Sequence, residues 1–247
     1  MGPSRHFDRR VASGERSGLL RRLVASARRG SIVFDLDGTL LDNRPRVVRI
    51  FHELADAWAT KHPAAADLCR AAVTERIVYG LADNMRRLGV TDEALIAEAF
   101  TFWRERFFYD AYMKYDTATP GAVSFVRACY DAGALIVYLT GRDLPNMALG
   151  TFASLRDLGF PIGVANTSLI TKPTFEMPDT DFKLGVAPQL SLHTPVLASI
   201  DNEPANVNLF LELHPESLGI LIDTQHAPDP PELDPRAHVI DSFEVDA

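Results

Sequence analysis

The sequence predicts an α/β protein built on a doubly wound parallel sheet, with an all-helical module inserted after the first strand. Apolar runs at residues 32–34, 134–139, 168–171, 196–200, 218–222 and 239–240 alternate with segments of helical period. The runs at 32–34 and 134–139 are continuous, as expected of strands buried on both faces of a parallel sheet, and 168–171 reads as a short strand. Between Pro45 and about Tyr115 there is no convincing strand, only apolar residues recurring every three or four positions.

Residues 1–30 carry eight arginines against Asp8 and Glu15, a local +6 that leaves −14 for the rest of a chain of net charge −8. Residues 1–16 read as a flexible tail. Leu19, Leu20, Leu23, Val24 and Ala27 then share one face of a surface helix, while Arg21 and Arg22 interrupt any signal-peptide core. The α/β core is expected over residues 17–43 and 116–247, and the helical insertion over 44–115. Within the insertion, Val47, Ile50, Phe51, Leu54, Ala55 and Trp58 form one stripe that ends near His62-Pro63. A second helix is read from Ala64 to about Val78, and a short one from Leu81 to Leu88 before Gly89. The next is opened by Asp92 and Glu93 and runs through Phe100 to Phe108.

The aromatic residues from Phe102 to Tyr115 fit the core of the insertion, with rings lining a cleft as the competing reading. Arg104 and Arg106 read as solvated. Beyond the insertion, Pro120 is placed as the first residue of a helix reaching Asp131, and further helices cover about Pro145–Leu158, Asp181–Leu190 and Pro204–Leu213.

Composition narrows the possible functions. The 247 residues are 47% hydrophobic and 23% charged, the profile of a soluble globular protein, and no stretch approaches the roughly 20 apolar residues that span a bilayer. The acidic main body argues against nucleic-acid binding. Cys69 and Cys129 both sit in helix-like segments, so a disulfide is not expected and a cytoplasmic location is the default. The seven histidines lack metal-ligand spacing, and His193 reads as a loop residue. Only Lys61, Lys114, Lys172 and Lys183 can supply an ammonium group.

The chemistry concentrates in Ser31-Ile-Val-Phe-Asp-Leu-Asp-Gly-Thr-Leu-Leu-Asp42. Asp35 falls at the end of the first strand, and residues two apart in extended chain point the same way, so Asp35 and Asp37 can reach one small volume. Two like charges there call for a shared proton or a hard divalent cation, with Mg2+ the usual choice beside phosphate. Gly38 permits a sharp turn, and Thr39 offers a hydroxyl. Other strand ends add Thr140-Gly141-Arg142, Lys172 and Asp201. Ligands of doubly wound sheets bind beyond the carboxyl ends of the strands, near the switch point.

The order of these residues is similar to the four motifs of the haloacid dehalogenase-like superfamily, over residues 31 to about 223. The resemblance implies a Rossmann-like core with a C1-type helical cap. It further implies a Mg2+-dependent hydrolase of small phosphomonoesters, monomeric or homodimeric, with Asp35 as nucleophile and Asp37 as general acid and base. Thr140 would bind the phosphoryl group, with Gly141, Arg142 and Lys172 also at the substrate, and Asp201 would hold the metal with Asp35 and the backbone carbonyl of Asp37. The motif lysine is Lys183 or Lys172; Lys183 is favoured because it opens the helix that leads into the Asp201 strand. Asn202 stands where a second carboxylate is common, and Asn202 or Glu203 would orient water or be structural. The alternatives are a weakly catalytic binding or regulatory protein, a phosphonate hydrolase using Lys61 or Lys114, and a carbon-halogen hydrolase, against which Asp37 argues.

Overall fold

The computed structural model describes residues 9–192 and 194–246. The chain divides into two compact units. One holds the residues up to Leu41, Ala118–Pro145 and those from Leu155 onward; the other holds Asp42–Thr117 and Asn146–Ser154.

The first unit is organised on six parallel strands, β1 (Ser31–Phe34), β4 (Leu135–Asp143), β5 (Thr167–Lys172), β6 (Val196–Asp201), β7 (Leu218–Ile222) and β8 (His238–Ile240). They stand in the order β5-β4-β1-β6-β7-β8, with every neighbouring pair parallel. The chain runs outward from β1 to β5, returns to the other side of β1 at β6, and continues to β8. The order therefore reverses between β1 and β6, the geometry in which a doubly wound sheet leaves a crevice at its carboxyl ends. This is a Rossmann-like α/β fold.

Helices α1 (Ser13–Ser26), α6 (Ala122–Asp131), α7 (Leu144–Leu158), α8 (Asp179–Leu190) and α9 (Pro204–Leu213) alternate with the strands. Every residue of β1 is buried, as its continuous apolar run requires. Leu20 and Leu23 of α1 join Phe34, Phe125 and Ile136 in the main core, whereas Phe182 and Ala187 of α8 pack with Val33, Val137 and Phe210. A further pair, β2 (Leu41–Asp42) and β3 (Thr117–Ala118), forms a two-stranded sheet the sequence did not suggest.

The flexible-tail expectation is corrected for residues 9–16; residues 1–8 and His193 lie outside the described residues. Arg10 bridges to Val239 alongside β8, and α1 opens at Ser13. The arginines meet acceptors near the other chain end: Arg9 donates to the carbonyls of Leu233 and Ala237, Arg10 to Asp223, and Arg16 to Asp241 and the Glu244 carbonyl. The expected surface helix α1 is buried on its Leu19, Leu20 and Leu23 face.

The second unit is helical, comprising α2 (Arg44–Trp58), α3 (Pro63–Arg70), α4 (Leu81–Leu88) and α5 (Glu93–Phe107), together with residues 146–154 of α7, which had been expected in the core. Gly150 sits there because a Cβ would come within 2.2 Å of the Asp110 carbonyl oxygen, and its amide donates to Asp110 Oδ1 at 2.6 Å. The helix expected to reach Val78 ends at Arg70. Val73 is extended, and a 3-10 turn at Thr74–Arg76 follows. Asp92 caps α5 by accepting from the Ala94 amide. Phe51, Trp58 and Met85 are central to this unit's core, with Phe102, Trp103 and Phe107 packed against it. Arg106 is not simply solvated, since its guanidinium lies 3.4 Å from the centre of the Phe102 ring. Among the described residues no helix is long and apolar enough to cross a membrane.

Candidate active site

At the carboxyl end of β1 the chain turns back at once. Gly38 takes φ +79°, the Leu41 amide donates to the Leu36 carbonyl, and the Gly38 amide donates to that of Leu41. This turn holds Asp35 at the strand end, where its amide donates to the Ile200 carbonyl on the neighbouring β6. Asp201 ends β6. The switch point thus brings together two carboxylates separated by more than 160 positions in sequence.

Lys183 joins them. It lies on the inward face of α8 with Phe182 and Ala187, and its Nζ donates to Asp35 Oδ1 at 2.8 Å and to Asp201 Oδ2 at 2.7 Å. All three side chains are buried. The remaining oxygens are also engaged. Thr39 Oγ1 lies 3.2 Å from Asp35 Oδ2, and Asp201 Oδ1 accepts from the Glu203 amide at 2.9 Å and from Asn206 Nδ2 at 3.1 Å.

One ammonium compensates one of two buried carboxylates, and a negative charge is left over. Burial, with Asp201 and Asp37 nearby, pushes the Asp35 carboxyl up to about 7 against the pull of Lys183. Burial disfavours the Lys183 charge, yet Asp201 and Asp35 together raise it above its ordinary range. The directions agree: the lysine keeps its proton, and Asp35 relieves the surplus by taking up a proton more readily than a free carboxylate.

Asp37 faces elsewhere. Both of its oxygens accept from Arg142, Oδ2 from Nε at 2.7 Å and Oδ1 from Nη2 at 2.8 Å. Arg142 reaches it because β4 bulges: Thr140 pairs with Thr171 and Asp143 with Lys172, so the register shifts across Gly141 and Arg142. Thr140, also buried, accepts from the Arg142 amide through its hydroxyl.

Lys172 does not enter the cluster. Its ammonium donates to the carbonyls of Phe175 and Met177 and pairs with Asp179 at 2.7 Å, tying down the loop that leads into α8. The structure thus places Lys172, expected at the substrate, apart from Asp35 and Asp201 and against the loop that leads to the helix carrying Lys183. Gly141 lies against the same Asp179, whose Oδ2 would stand 2.2 Å from a Cβ there. Asn202 contacts Thr39 and donates to the Gln225 carbonyl, while Glu203 accepts from the Ala227 amide, so both hold the loop after β7. Lys61 pairs with Glu98, and Lys114 lies over the Tyr115 ring.

The sequence reading did not find Asn206 or the Asp37–Arg142 pair. A polar residue on the buried face of α9 is a signal for the first; nothing in spacing announces the second.

Residues 31–181 match the model of the haloacid dehalogenase-like hydrolases. The chain belongs to this family. Solved structures show the same fold at low identity. A "putative phosphatase" from Clostridium difficile is 13% identical over 87% of this chain and 94% of that one, with a TM-score of 0.54. A "predicted phosphoglycolate phosphatase" from Haemophilus somnus 129pt is 14% identical over 86% and 94%, with a TM-score of 0.53. A dehalogenase in an intermediate complex is 16% identical over 86% and 93%, with a TM-score of 0.51. No similar curated protein was found. In this haloacid dehalogenase-like hydrolase, the family match takes in Asp35, Asp37, Thr140 and Arg142 and ends just before Lys183.

Proposed function

We propose that this hydrolase is a magnesium-dependent phosphohydrolase that cleaves a small phosphomonoester through an aspartyl-phosphate on Asp35. The observation that supports it is the Asp35–Lys183–Asp201 cluster, with contacts of 2.8 and 2.7 Å at the switch point of the sheet. A carboxylate can attack a phosphoryl anion only where positive charge screens the approach.

In this reading an Asp35 oxygen bonds to phosphorus as the bond to the leaving alkoxide breaks, and Asp37 delivers a proton to that oxygen. Water then attacks the phosphorus, giving its proton to Asp37, and the acyl-phosphate bond breaks to release phosphate and restore Asp35. Lys183 stays charged and steadies the anion throughout; the Thr140 hydroxyl donates to a phosphoryl oxygen.

The donor set suits Mg2+. Asp35 and Asp201 are hard oxygen ligands with one surplus negative charge, and Mg2+ ordinarily keeps several waters and takes only one or two carboxylates. Among the described residues no three His, Cys, Asp or Glu side chains form a metal cluster. Asp37 would therefore contribute its backbone carbonyl and not its carboxylate, which lies on Arg142. When bound, the ion supplies charge stabilisation for the transferring phosphoryl group. The helical insertion, in this proposal, serves as the cap that selects substrate.

The test is hydrolysis of p-nitrophenyl phosphate with and without Mg2+, in wild type and Asp35→Asn. Metal-dependent turnover that the substitution abolishes is expected; equal rates in the two proteins refute the proposal.

A further inference from the structure

The Arg142–Asp37 pair is lopsided. The Arg142 side chain is 1% exposed, and that of Asp37 is 30% exposed. A guanidinium keeps its proton in a protein, and its planar fork matches a carboxylate and a phosphoryl group alike in bidentate geometry. The bulge fixes its position, since Gly141 and Arg142 are the two residues that β4 inserts beyond Thr140. The Thr140 hydroxyl lies 3.2 Å from the Arg142 amide, so hydroxyl and guanidinium issue from one short turn of chain. Asp37 lies close enough to Asp35 for its charge to be felt there.

We infer that Asp37 occupies Arg142 as a stand-in for the substrate's phosphoryl group. An arriving phosphoryl anion takes over the guanidinium, and the displaced Asp37 carboxylate becomes free to work at the leaving group. The inference rests on the phosphohydrolase reading above and adds an order of events to it. Removing a carboxylate from a buried guanidinium without a replacement strands charge at high cost, so exchange of one anion for another is the favourable route. The half of the pair that reaches solvent is the half that moves. Before substrate arrives both Asp37 oxygens are engaged, and its acid-base work waits on phosphoryl binding.

The experiment follows the arginine Nε–H resonances of the full chain by nitrogen-15 NMR, in Mg2+, during titration with inorganic phosphate. The Arg142 signal is identified by its loss in Arg142→Lys. It is expected to move saturably as phosphate binds. Asp37→Asn is expected to bind phosphate several-fold more tightly, because no carboxylate competes for the fork. Arg142→Lys, which keeps the charge and loses the bidentate geometry, is expected to bind it roughly 10-fold more weakly. Phosphate that binds while the Arg142 signal stays still, or that Asp37→Asn binds no more tightly, overturns the inference and leaves the phosphohydrolase reading standing. A wild-type protein that neither binds phosphate nor hydrolyses a phosphomonoester overturns both.

Discussion

Replacing Lys183 with methionine keeps an unbranched stem in the core and removes the ammonium between two carboxylates. The contacts of 2.8 and 2.7 Å place Asp35 Oδ1 and Asp201 Oδ2 within about 5.5 Å of each other. Two unit charges at that separation repel by about 3 kcal/mol at an effective dielectric constant of about 20. Breaking a buried ion pair by removing one partner costs roughly 3–5 kcal/mol, so the two approaches meet. Lys183→Met should therefore lose about 3–5 kcal/mol of stability in EDTA well above pH 7, where Asp35 has given up its proton, measured by urea denaturation followed by far-ultraviolet circular dichroism. Lys172→Met is the control. That ammonium pairs with an Asp179 side chain that is 60% exposed and otherwise donates to two carbonyls, a loss of about 1–2 kcal/mol. A Lys183→Met protein that loses less than about 1 kcal/mol, or no more than the control, refutes the bridging role.

Further outcomes follow from the same geometry. Because Asp35 holds its proton up to about pH 7 in the metal-free fold but only to 3.8 in the unfolded chain, its contribution to stability is full below about pH 4 and is lost as pH rises to about 7. The stability difference between wild type and Asp35→Asn in EDTA should follow that slope, and a flat difference counts against it. Arg46 is fully buried, contacts both Asp116 oxygens at 2.8 and 3.1 Å and donates to the Phe107 carbonyl, so Arg46→Met should cost the helical unit roughly 3–5 kcal/mol. Tryptophan fluorescence reads this unit, since Trp58 and Trp103 both lie in it, and partial recovery in Arg46→Met/Asp116→Leu is expected. Burial pushes the Cys69 thiol up to about 11 and that of Cys129 up to about 12; both should resist Ellman's reagent until the protein unfolds, and prompt labelling of the native protein would contradict the packing.

The central strand β1 was legible because a strand buried on both faces must be apolar at every position, and its run ends in a polar residue; β5, half-buried along most of its length, carried a weaker signal. Helix α4 was legible because Gly89, at φ +100°, stops it where an L side chain is strained. The second insertion helix was over-extended because apolar recurrence cannot show that Val73 faces solvent. The N-terminal arginines were read as part of a flexible tail and a surface helix, although acceptors more than 200 positions away bind Arg9, Arg10 and Arg16; such pairing is a tertiary fact. The lysine question turned on helix phase, since spacing from Asp201 leaves both residues open whereas α8 turns Lys183 inward beside Phe182. The β4 bulge, and the Arg142–Asp37 contact it makes possible, depends on register with β5 and leaves no trace in composition or period.

The central claim is that Asp35 carries the phosphoryl group during turnover. Acid-quenched protein, sampled while it hydrolyses a phosphomonoester in Mg2+ and digested for mass spectrometry, should show phosphate on the peptide containing Asp35, and Asp35→Asn should show none. Undiminished hydrolysis by Asp35→Asn, or phosphate trapped on a different residue, would contradict the account.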